Sequence, residues 1–463
     1  MVHTGEPPDS RPLWLVAETR LPEWLAAQSA STRAWLEAMR FKAERQQLAV
    51  WPGEDGRPAG AALGLGALRS LDALELWHAA GLPDRLPAGS WRLVDPLSPQ
   101  SATAVALGWE YGSYRYERYR STPRPAIAAQ LESPAGADLA LVRRTARALA
   151  LARDLINTPA EDLHPAALAA EARALALRHE ATVEVIEGEA LRRDYPAIHA
   201  VGRAAAIGPC LIDLRWGVAS HPRVTLVGKG VCFDSGGLDL KPAAGMLLMK
   251  KDMGGAACAL ALADMVMDAR LPVRLRVLIP AVENAVSAGA FRPGDIIRAR
   301  KGLSVEIGNT DAEGRLVLCE ALAAADVEQP TLLVDLATLT GAARVALGPE
   351  LPALFGSNET TVATLAAHGR ALADPVWPMP LWSGYDEDLS SRVADLNNVS
   401  SGTFAGAIIG ALFLRRFVGE GTDWLHVDLY GWNPKDRPGR PLGAEAQSVR
   451  ALYALLAERH PAG

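Results

Sequence analysis

From about residue 137 to the end of the chain, short apolar runs alternate with longer segments of helical spacing. The run Arg223–Val227 has the length and continuous apolarity of a strand that is buried on both faces. Segments such as Gly254–Arg270 and Gly314–Val327 are longer than a dozen residues and are typical of helices. This alternation predicts a mixed α/β sheet that is sandwiched by helices, with ligands at the carboxyl ends of the strands.

The same patterns place the remaining elements of this part of the chain. Further strands are predicted at Val183–Ile186, Leu211–Trp216, Val273–Ile279, Leu332–Leu336 and Trp424–Leu429, and further helices at Asp138–Leu155, Pro165–Arg178 and Ala405–Phe417.

The first part of the chain differs in composition from the rest. It holds seven of the twelve tryptophans and mixes short helical stretches with short apolar runs. A segment rich in Pro, Ser and Gly follows, and proline and glycine there are typical of a linker. We therefore predict a smaller N-terminal α/β domain at 1–124, a linker at 125–140 and a larger C-terminal α/β domain at 141–463.

Charge, cysteine and hydropathy patterns exclude several classes of protein. A net charge of −6 argues against a broad nucleic-acid surface. The four cysteines form no CxxC pair, which favours buried thiols in a reducing compartment. The N-terminal residues lack an apolar signal segment, and the longest apolar run, Phe404–Leu414, is shorter than the ~18–20 residues that cross a bilayer. We expect a cytoplasmic protein without a membrane segment.

Lysine is scarce and unevenly placed. Only seven of the 47 basic residues are lysines, and four of those lie between Lys229 and Asp252. Codon bias together with chance could produce such a cluster, but lysine can also be retained where arginine would fail. Two of the four, Lys250 and Lys251, we assign to structural or surface roles.

The segment 228–256 follows the strand that ends at Val227, and a second polar segment, NTDAEGRL, occupies 309–316. Several carboxylates brought together would repel one another, and divalent cations would supply the compensating charge. No histidine lies between His221 and His368, so such a site would be rich in oxygen ligands. Spacing alone is equally compatible with two solvated glycine-rich turns. The charged residues of the two segments are Lys229, Asp234, Asp239, Lys241, Lys250, Lys251, Asp252, Asp311, Glu313 and Arg315.

Other motifs do not fit these segments. The phosphate-binding pattern GxxxxGK[ST] is absent, and the sequence DSGG at 234–237 is not a GxSxG nucleophile elbow.

The two segments resemble the leucyl aminopeptidase (cytosol aminopeptidase) family, whose signature octapeptide is NTDAEGRL. Blocks in family order extend over the catalytic half: ARDLINTPAEDLHP at 152–165, AVGRA at 200–204, IPAVEN and AFRPGDII within 279–297, DLATLTGA at 335–342 and ADLNNV at 394–399. The resemblance implies an aminopeptidase that removes N-terminal residues from short peptides.

The resemblance also implies a role for each matching residue. Two divalent metal ions (Zn, Mn, Mg or Co) would be held by Lys229, Asp234, Asp252, Asp311 and Glu313. Lys241 would act as the electrophile that polarises the scissile carbonyl, and Arg315 would hold a bicarbonate ion as the general base. An amine ligand must be neutral and a lysine can lose its proton beside a dication, whereas an arginine cannot.

Substrate-binding positions follow from the same resemblance. Met249, Thr338, Leu339 and Gly341 match positions that line the substrate pocket of the family. Tyr430 occupies a position that is usually alanine, at the border of the pocket for the first side chain. We hypothesise that this phenol weakens a preference for leucine and favours smaller or polar N-terminal residues.

The family is hexameric, and we expect a homohexamer whose interior active sites admit short peptides. Two alternatives stay open: a narrow dipeptidase such as a cysteinylglycinase, and a secondary DNA-binding role of the kind that some relatives have. The acidic balance argues against DNA binding.

Overall fold

The computed structural model describes residues 2–3 and 10–462. Two compact units divide the chain: one comprises the described part of Met1–Arg147 together with Lys435–Leu442, and the other comprises Ala148–Pro434 together with the described part of Gly443–Gly463.

The smaller unit is built on a six-stranded sheet with the strand order β1-β6-β5-β2-β4-β3. All neighbouring strands are parallel except β3 and β4. Its strands are β1 (Val2–His3), β2 (Arg11–Val16), β3 (Leu48–Pro52), β4 (Pro58–Gly64), β5 (Gly89–Leu93) and β6 (Ala129–Glu132), and its helices are α1 (Leu21–Ala26), α2 (Ala30–Ala38), α3 (Leu76–Ala79) and α4 (Pro99–Ser113).

Residues 125–140, which composition predicts to be a linker, include strand β6 and the first residues of helix α5 (Leu139–Asn157). The reason is the apolar pattern of β6, whose Leu131 is fully buried in the core of the smaller unit. Proline-rich composition marks the loop before this strand rather than the end of the unit. The predicted domain boundaries themselves stay a prediction.

The larger unit contains a mixed nine-stranded sheet. Its strands, with those of two small sheets, are β7 (Thr182–Glu187), β8 (Cys210–Trp216), β9 (Arg223–Gly228), β10 (Gly230–Asp234), β11 (Arg274–Asn284), β12 (Ile296–Arg298), β13 (Ser304–Glu306), β14 (Leu332–Ala337), β15 (Ala353–Gly356), β16 (Trp377–Pro378), β17 (Leu396–Asn397), β18 (Trp424–Asp428), β19 (Trp432–Asn433) and β20 (Gly443–Ala444). Its helices are α6 (Pro165–Arg178), α7 (Gly188–Asp194), α8 (Pro196–Gly202), α9 (Ala243–Met246), α10 (Gly254–Asp268), α11 (Glu313–Asp326), α12 (Gly341–Leu347), α13 (Glu359–Ala371), α14 (Gly406–Arg415) and α15 (Val449–Arg459).

The large sheet has the strand order β16-β15-β18-β14-β9-β11-β8-β7, and β10 also pairs with β11. The central strands β18, β14, β9 and β11 run parallel, and so does β10, whereas β8 pairs with β11 in the antiparallel direction. The carboxyl ends of the parallel strands therefore meet at one edge of the sheet.

The central strands are buried on both faces. Val227 and Leu333 share one apolar core with helices α11 and α14. Their neighbours Leu226 and Val334 point to the opposite face, because side chains alternate along a strand, and they are fully buried as well. The predicted mixed sheet with helices on both faces, preceded by a smaller α/β domain, is confirmed.

One strand is longer than its pattern predicts. The sequence predicts a strand over Val273–Ile279, but β11 continues through Pro280 to Asn284. Pro280 lies where β11 changes its partner from β9 to β10. A missing amide donor costs least at such a break in the ladder, so the proline does not end the strand.

No helix in the described ranges is both long and apolar enough to span a bilayer.

Candidate metal centre and active site

The carboxyl edge of the large sheet collects polar residues from distant parts of the chain. Lys229 follows β9 directly, Asp234 is the last residue of β10, and Thr338 follows β14. Asp428 is the last residue of β18. Because these strands are parallel neighbours, residues that are more than a hundred positions apart lie at the same edge.

Lys229 lies in the middle of this cluster and is 3% exposed. Its Nζ lies 2.7 Å from Asp252 Oδ2 and 3.0 Å from Glu313 Oε1, and it donates to the Thr338 carbonyl at 3.1 Å. Burial alone lowers the pKa of this lysine, but the surrounding carboxylates more than offset that effect and raise the pKa above its ordinary value. Without a metal, Lys229 is therefore an ammonium ion.

A second lysine neutralises the other side of the cluster. Lys241 Nζ lies 2.8 Å from Asp234 Oδ2 and forms an ion pair with Asp311. The pKa of Lys241 is raised because these carboxylates outweigh the effect of burial. Asp234 Oδ1 accepts hydrogen bonds from the Gly236 amide and from Asn284 Nδ2, each at 2.9 Å, so its carboxylate is fixed in place.

Glu313 is the first residue of α11 and is 1% exposed. Burial, together with the nearby carboxylate of Asp234, raises the pKa of Glu313 to about 8. Its Oε2 atom has no hydrogen-bond partner within residues 2–3 and 10–462. A buried carboxylate oxygen without a partner is costly, which indicates that a ligand completes the site.

The loops that carry these residues are tied to each other. Thr310, which is fully buried, accepts at Oγ1 from the Asp239 amide at 2.8 Å, and its own amide donates to Asp239 Oδ2 at 2.7 Å. Gly236 has φ +88°, and a Cβ there would lie 2.5 Å from the Asp239 carbonyl oxygen. Only glycine fits this turn, which holds Asp234 and Asp311 near each other.

Arg315 enters the site from the first turn of α11. Its Nη1 donates to the Asn398 carbonyl at 2.7 Å, and its guanidinium lies 6.0 Å from the Phe413 ring centroid. Burial lowers the pKa of Arg315 to about 10, so it stays charged at neutral pH. Its Nε is buried and unpartnered among the described residues, which leaves a donor for an anion.

All seven predicted metal and catalytic residues line one cavity of about 330 Å³. Four of the predicted substrate-binding residues, Met249, Thr338, Leu339 and Gly341, also line it. Tyr430 does not belong to this lining, although its neighbour Leu429 does. The ring of Tyr430 instead lies 4.5 Å from Lys251 Nζ and 4.8 Å from the Arg344 guanidinium carbon.

Sequence reasoning missed two cations of the cavity, Lys251 and Arg344, both of which line it. Lys251, assigned above to a structural or surface role, is 2% exposed, and burial lowers its pKa to about 8. The lysine cluster was a signal for Lys251, whereas nothing in the sequence around Arg344 marked it. Lys250 does have a structural contact, donating to the Asn157 carbonyl at 2.6 Å.

A third missed residue is Asp428, which is buried and shapes the loop after β14. Its Oδ1 accepts from the amides of Leu339 and Thr340 at 3.0 and 3.1 Å, and its Oδ2 accepts from Thr340 Oγ1 at 2.6 Å. These bonds fix the loop that supplies one wall of the cavity. The carboxylate at the end of strand β18 could have been noticed as a strand-end residue.

The donor set fits divalent cations. One oxygen from each of Asp234, Asp252 and Glu313 lies within 4.8 Å of the others, and all three residues are buried. Burial raises the pKa of Asp252 and of Asp311 as well as that of Glu313, so the negative charge is incompletely compensated by protein groups. Carboxylate oxygens with one amine suit Zn²⁺, Mn²⁺, Mg²⁺ or Co²⁺, and the unpartnered Glu313 oxygen supplies a free ligand position.

The chain is similar to known proteins over most of its length. Residues 150–453 match the family model described as "Cytosol aminopeptidase family, catalytic domain", and residues 11–134 match "M17 aminopeptidase, N-terminal domain". A probable cytosol aminopeptidase of Corynebacterium efficiens is 37% identical over 445 residues, which cover 92% of this chain and 88% of the relative.

Solved structures show the same similarity. The cytosol aminopeptidase from Coxiella burnetii superposes with a TM-score of 0.95 at 44% identity and covers 99% of both chains. The bottromycin maturation enzyme BotP, in complex with Mn, superposes with a TM-score of 0.87 at 33% identity, over 97% of this chain and 99% of that one.

Fold, motif order and relatives therefore agree over nearly the whole chain. The chain belongs to the cytosol aminopeptidase family and is an aminopeptidase, a hydrolase of peptide bonds.

Proposed function

We propose that this enzyme removes the N-terminal residue of short peptides at a centre of two divalent metal ions. The observation that carries the proposal is the buried trio of Asp234, Asp252 and Glu313, whose oxygens lie within 4.8 Å of one another in a cavity. Mn in the structure of BotP supports a divalent metal in this fold.

Five residues would hold the two ions: Lys229, Asp234, Asp252, Asp311 and Glu313. When bound, the ions (Zn, Mn, Mg or Co) would polarise the peptide carbonyl and lower the pKa of water in the cavity. The free α-amine of a peptide would be a further ligand of these ions, which would restrict cleavage to N-terminal residues.

Lys229 must lose a proton before its amine can bind a metal. Its ammonium now lies against Asp252 and Glu313, so binding of a cation to these carboxylates removes the charges that raise the lysine pKa. Metal binding would therefore release a proton, and a rise in pH would strengthen it.

Lys241 acts as the electrophile toward the scissile carbonyl. It is held at the cavity by Asp234 and Asp311, and the raised pKa keeps it an ammonium ion at neutral pH. With those carboxylates engaged by cations, the ammonium would be free to donate to the carbonyl oxygen of the substrate, whose negative charge grows in the transition state.

Arg315 holds an anion beside the reacting groups. Its guanidinium is fixed by the Asn398 carbonyl, and its unpartnered Nε is available to a planar carbonate group. Bicarbonate bound there would supply a base for the attacking water.

Assembly and location complete the proposal. We propose that the enzyme is a homohexamer in the cytoplasm. The names of the cytosol aminopeptidase relatives support the location, and membership of the family supports the assembly. Size-exclusion chromatography with light scattering measures the assembly, and a monomer would contradict it.

The function is tested with pairs of peptides that differ only at the N-terminus. The apoprotein is reconstituted with each metal, with and without bicarbonate, and products are identified by mass spectrometry. We expect sequential loss of N-terminal residues from free peptides, no cleavage of N-acetylated ones, and loss of activity in Glu313→Gln. Cleavage of acetylated peptides, or cleavage of cysteinylglycine alone, would contradict a general aminopeptidase.

A further inference from the structure

The cavity has a second charged region beside the carboxylate cluster, which we call the cationic wall: Lys251 and Arg344. Both side chains line the same cavity as the predicted metal ligands. Lys251 is 2% exposed, and Arg344 belongs to helix α12. Neither side chain forms an ion pair or hydrogen bond with any described residue. The Tyr430 ring contacts both cations, and the carboxylates of Asp252 and Asp428 act on Lys251 only through their charge.

A buried lysine without a carboxylate partner is expensive. The ring of Tyr430 offers a partly negative face, which stabilises a cation far less than a carboxylate does. The nearest carboxylates are already engaged: Asp252 contacts Lys229 and Thr338, and Asp428 accepts from the loop after β14. The cavity therefore has one buried ammonium, Lys251, that a substrate is placed to neutralise, and beside it the exposed guanidinium of Arg344.

The position of the wall indicates which part of a peptide reaches it. As proposed above, the α-amine would bind at the metal centre and the scissile carbonyl would face Lys241. The first side chain branches from the carbon between those two groups, so it extends into the adjoining part of the cavity. Lys251 precedes the predicted metal ligand Asp252 in sequence, and the apolar side chains of Met249 and Leu339 line the same cavity.

We propose that the cationic wall selects peptides whose N-terminal residue carries a carboxylate side chain, glutamate or aspartate. This inference rests on the proposed aminopeptidase function and deepens it by naming the substrate class. The ring of Tyr430 contacts both cations of this wall. A carboxylate of the substrate would accept charge-assisted hydrogen bonds from both side chains.

Aminoacyl amides of Glu, Asp, Gln, Leu and Lys test the inference, because an amide has no terminal carboxylate of its own. With the metal-loaded enzyme we expect kcat/KM for Glu to exceed that for Gln by roughly ten- to a hundredfold, the range for a charge-assisted hydrogen bond to the buried Lys251. Lys251→Met should lower the Glu-to-Gln ratio about tenfold, and Arg344→Met, at an exposed position, should lower it less. Lys250→Met is the matched control, since Lys250 contacts Asn157 and Trp432 outside the cavity lining, and it should leave the ratio unchanged.

Charge reversal separates specificity from damage to the fold. Arg344 is exposed on its helix, so Arg344→Glu should fold and should raise the ratio of Lys-amide to Glu-amide turnover at least tenfold. Equal turnover of Glu and Gln, unchanged by these substitutions, would overturn the inference and leave the aminopeptidase function intact. A preference only for dipeptides with a free terminal carboxylate would overturn it too, because the wall would then face the second residue. Absence of turnover with every amide and metal would instead reject the proposed function.

Discussion

Replacing Lys229 with arginine separates a ligand role from a charge role. Lys229→Arg keeps the positive charge between Asp252 and Glu313 but cannot supply a neutral nitrogen, because a guanidinium keeps its proton at any pH that the fold tolerates. We expect a folded protein with normal ion pairs in the metal-free state and with weakened metal binding.

The magnitude follows from the contacts. Nζ lies 2.7 and 3.0 Å from the carboxylate oxygens that would bind the cation, so a guanidinium charge would stay at about 4 Å from a dication. At an effective dielectric constant of about 20, the repulsion between the guanidinium charge and the dication is about 8 kcal/mol. Lysine avoids it by losing a proton, which costs about 5 kcal/mol at pH 7 from its ordinary pKa of 10.5. The difference of about 3 kcal/mol corresponds to roughly a hundredfold weaker binding, besides the lost amine ligand.

Metal affinity is measured by competition with a chromophoric chelator, and bound metal per chain by elemental analysis after dialysis against buffered free metal. Lys250→Arg, which changes the same residue type two positions from Asp252, is the control and should bind metal normally. Circular dichroism verifies the fold. Unchanged affinity and full occupancy in a folded Lys229→Arg protein would refute the assignment of Lys229 as a ligand.

Three further predictions follow from the contacts. Gly314→Ala should lower metal occupancy, measured by elemental analysis, because its Cβ would lie 2.6 Å from Lys229 Nζ and would displace the amine; normal occupancy would contradict this. Gly255→Ala should destabilise the fold by about 3 kcal/mol in denaturant unfolding, because its Cβ would lie 2.0 Å from a backbone carbonyl oxygen, whereas Gly245→Ala, with its nearest atom at 4.0 Å, should be neutral. Burial raises the pKa of Glu320 from 4.5 to about 7, so the folded state binds its proton more tightly and stability falls as pH rises through this range. The free energy of unfolding of the unsubstituted protein minus that of Glu320→Gln should fall by about 3 kcal/mol between pH 4.5 and pH 7 and stay level above pH 7. A difference that does not change with pH would contradict this prediction.

The elements of the catalytic unit were predictable because apolar periodicity and length separate strands from helices. Helix α10 begins at Gly254, as predicted, and strand β9 exceeds its predicted end by one residue. The predicted elements differ from the structure where the local sequence pattern and the tertiary packing favour different conformations. Pro280 stays inside a strand because a ladder break surrounds it, and Leu131 forms a strand inside a proline-rich segment because the core requires its side chain.

The candidate site was predictable in its residues but not in its pairings. The lysine cluster and the octapeptide mark Lys229 and Glu313, yet nothing in the sequence shows that an ion pair joins them across 84 positions. The neighbouring lysines also have different surroundings: Lys250 donates to a backbone carbonyl, whereas Lys251 lines the cavity. Consecutive residues of a helix point in different directions, and only the packed fold determines which of the two side chains faces the cavity.

The metal dependence of peptide hydrolysis is the most direct test of the proposed function. The apoprotein, stripped with a chelator, is titrated with Mn²⁺ or Zn²⁺ while bound ions are counted by native mass spectrometry and hydrolysis of an aminoacyl amide is followed in the same samples. We predict no hydrolysis in the apoprotein, maximal hydrolysis at two ions per chain, and neither full occupancy nor activity in Glu313→Gln. Full activity of metal-free protein, or activity that Glu313→Gln retains, would contradict the assignment of this cluster as the catalytic metal centre.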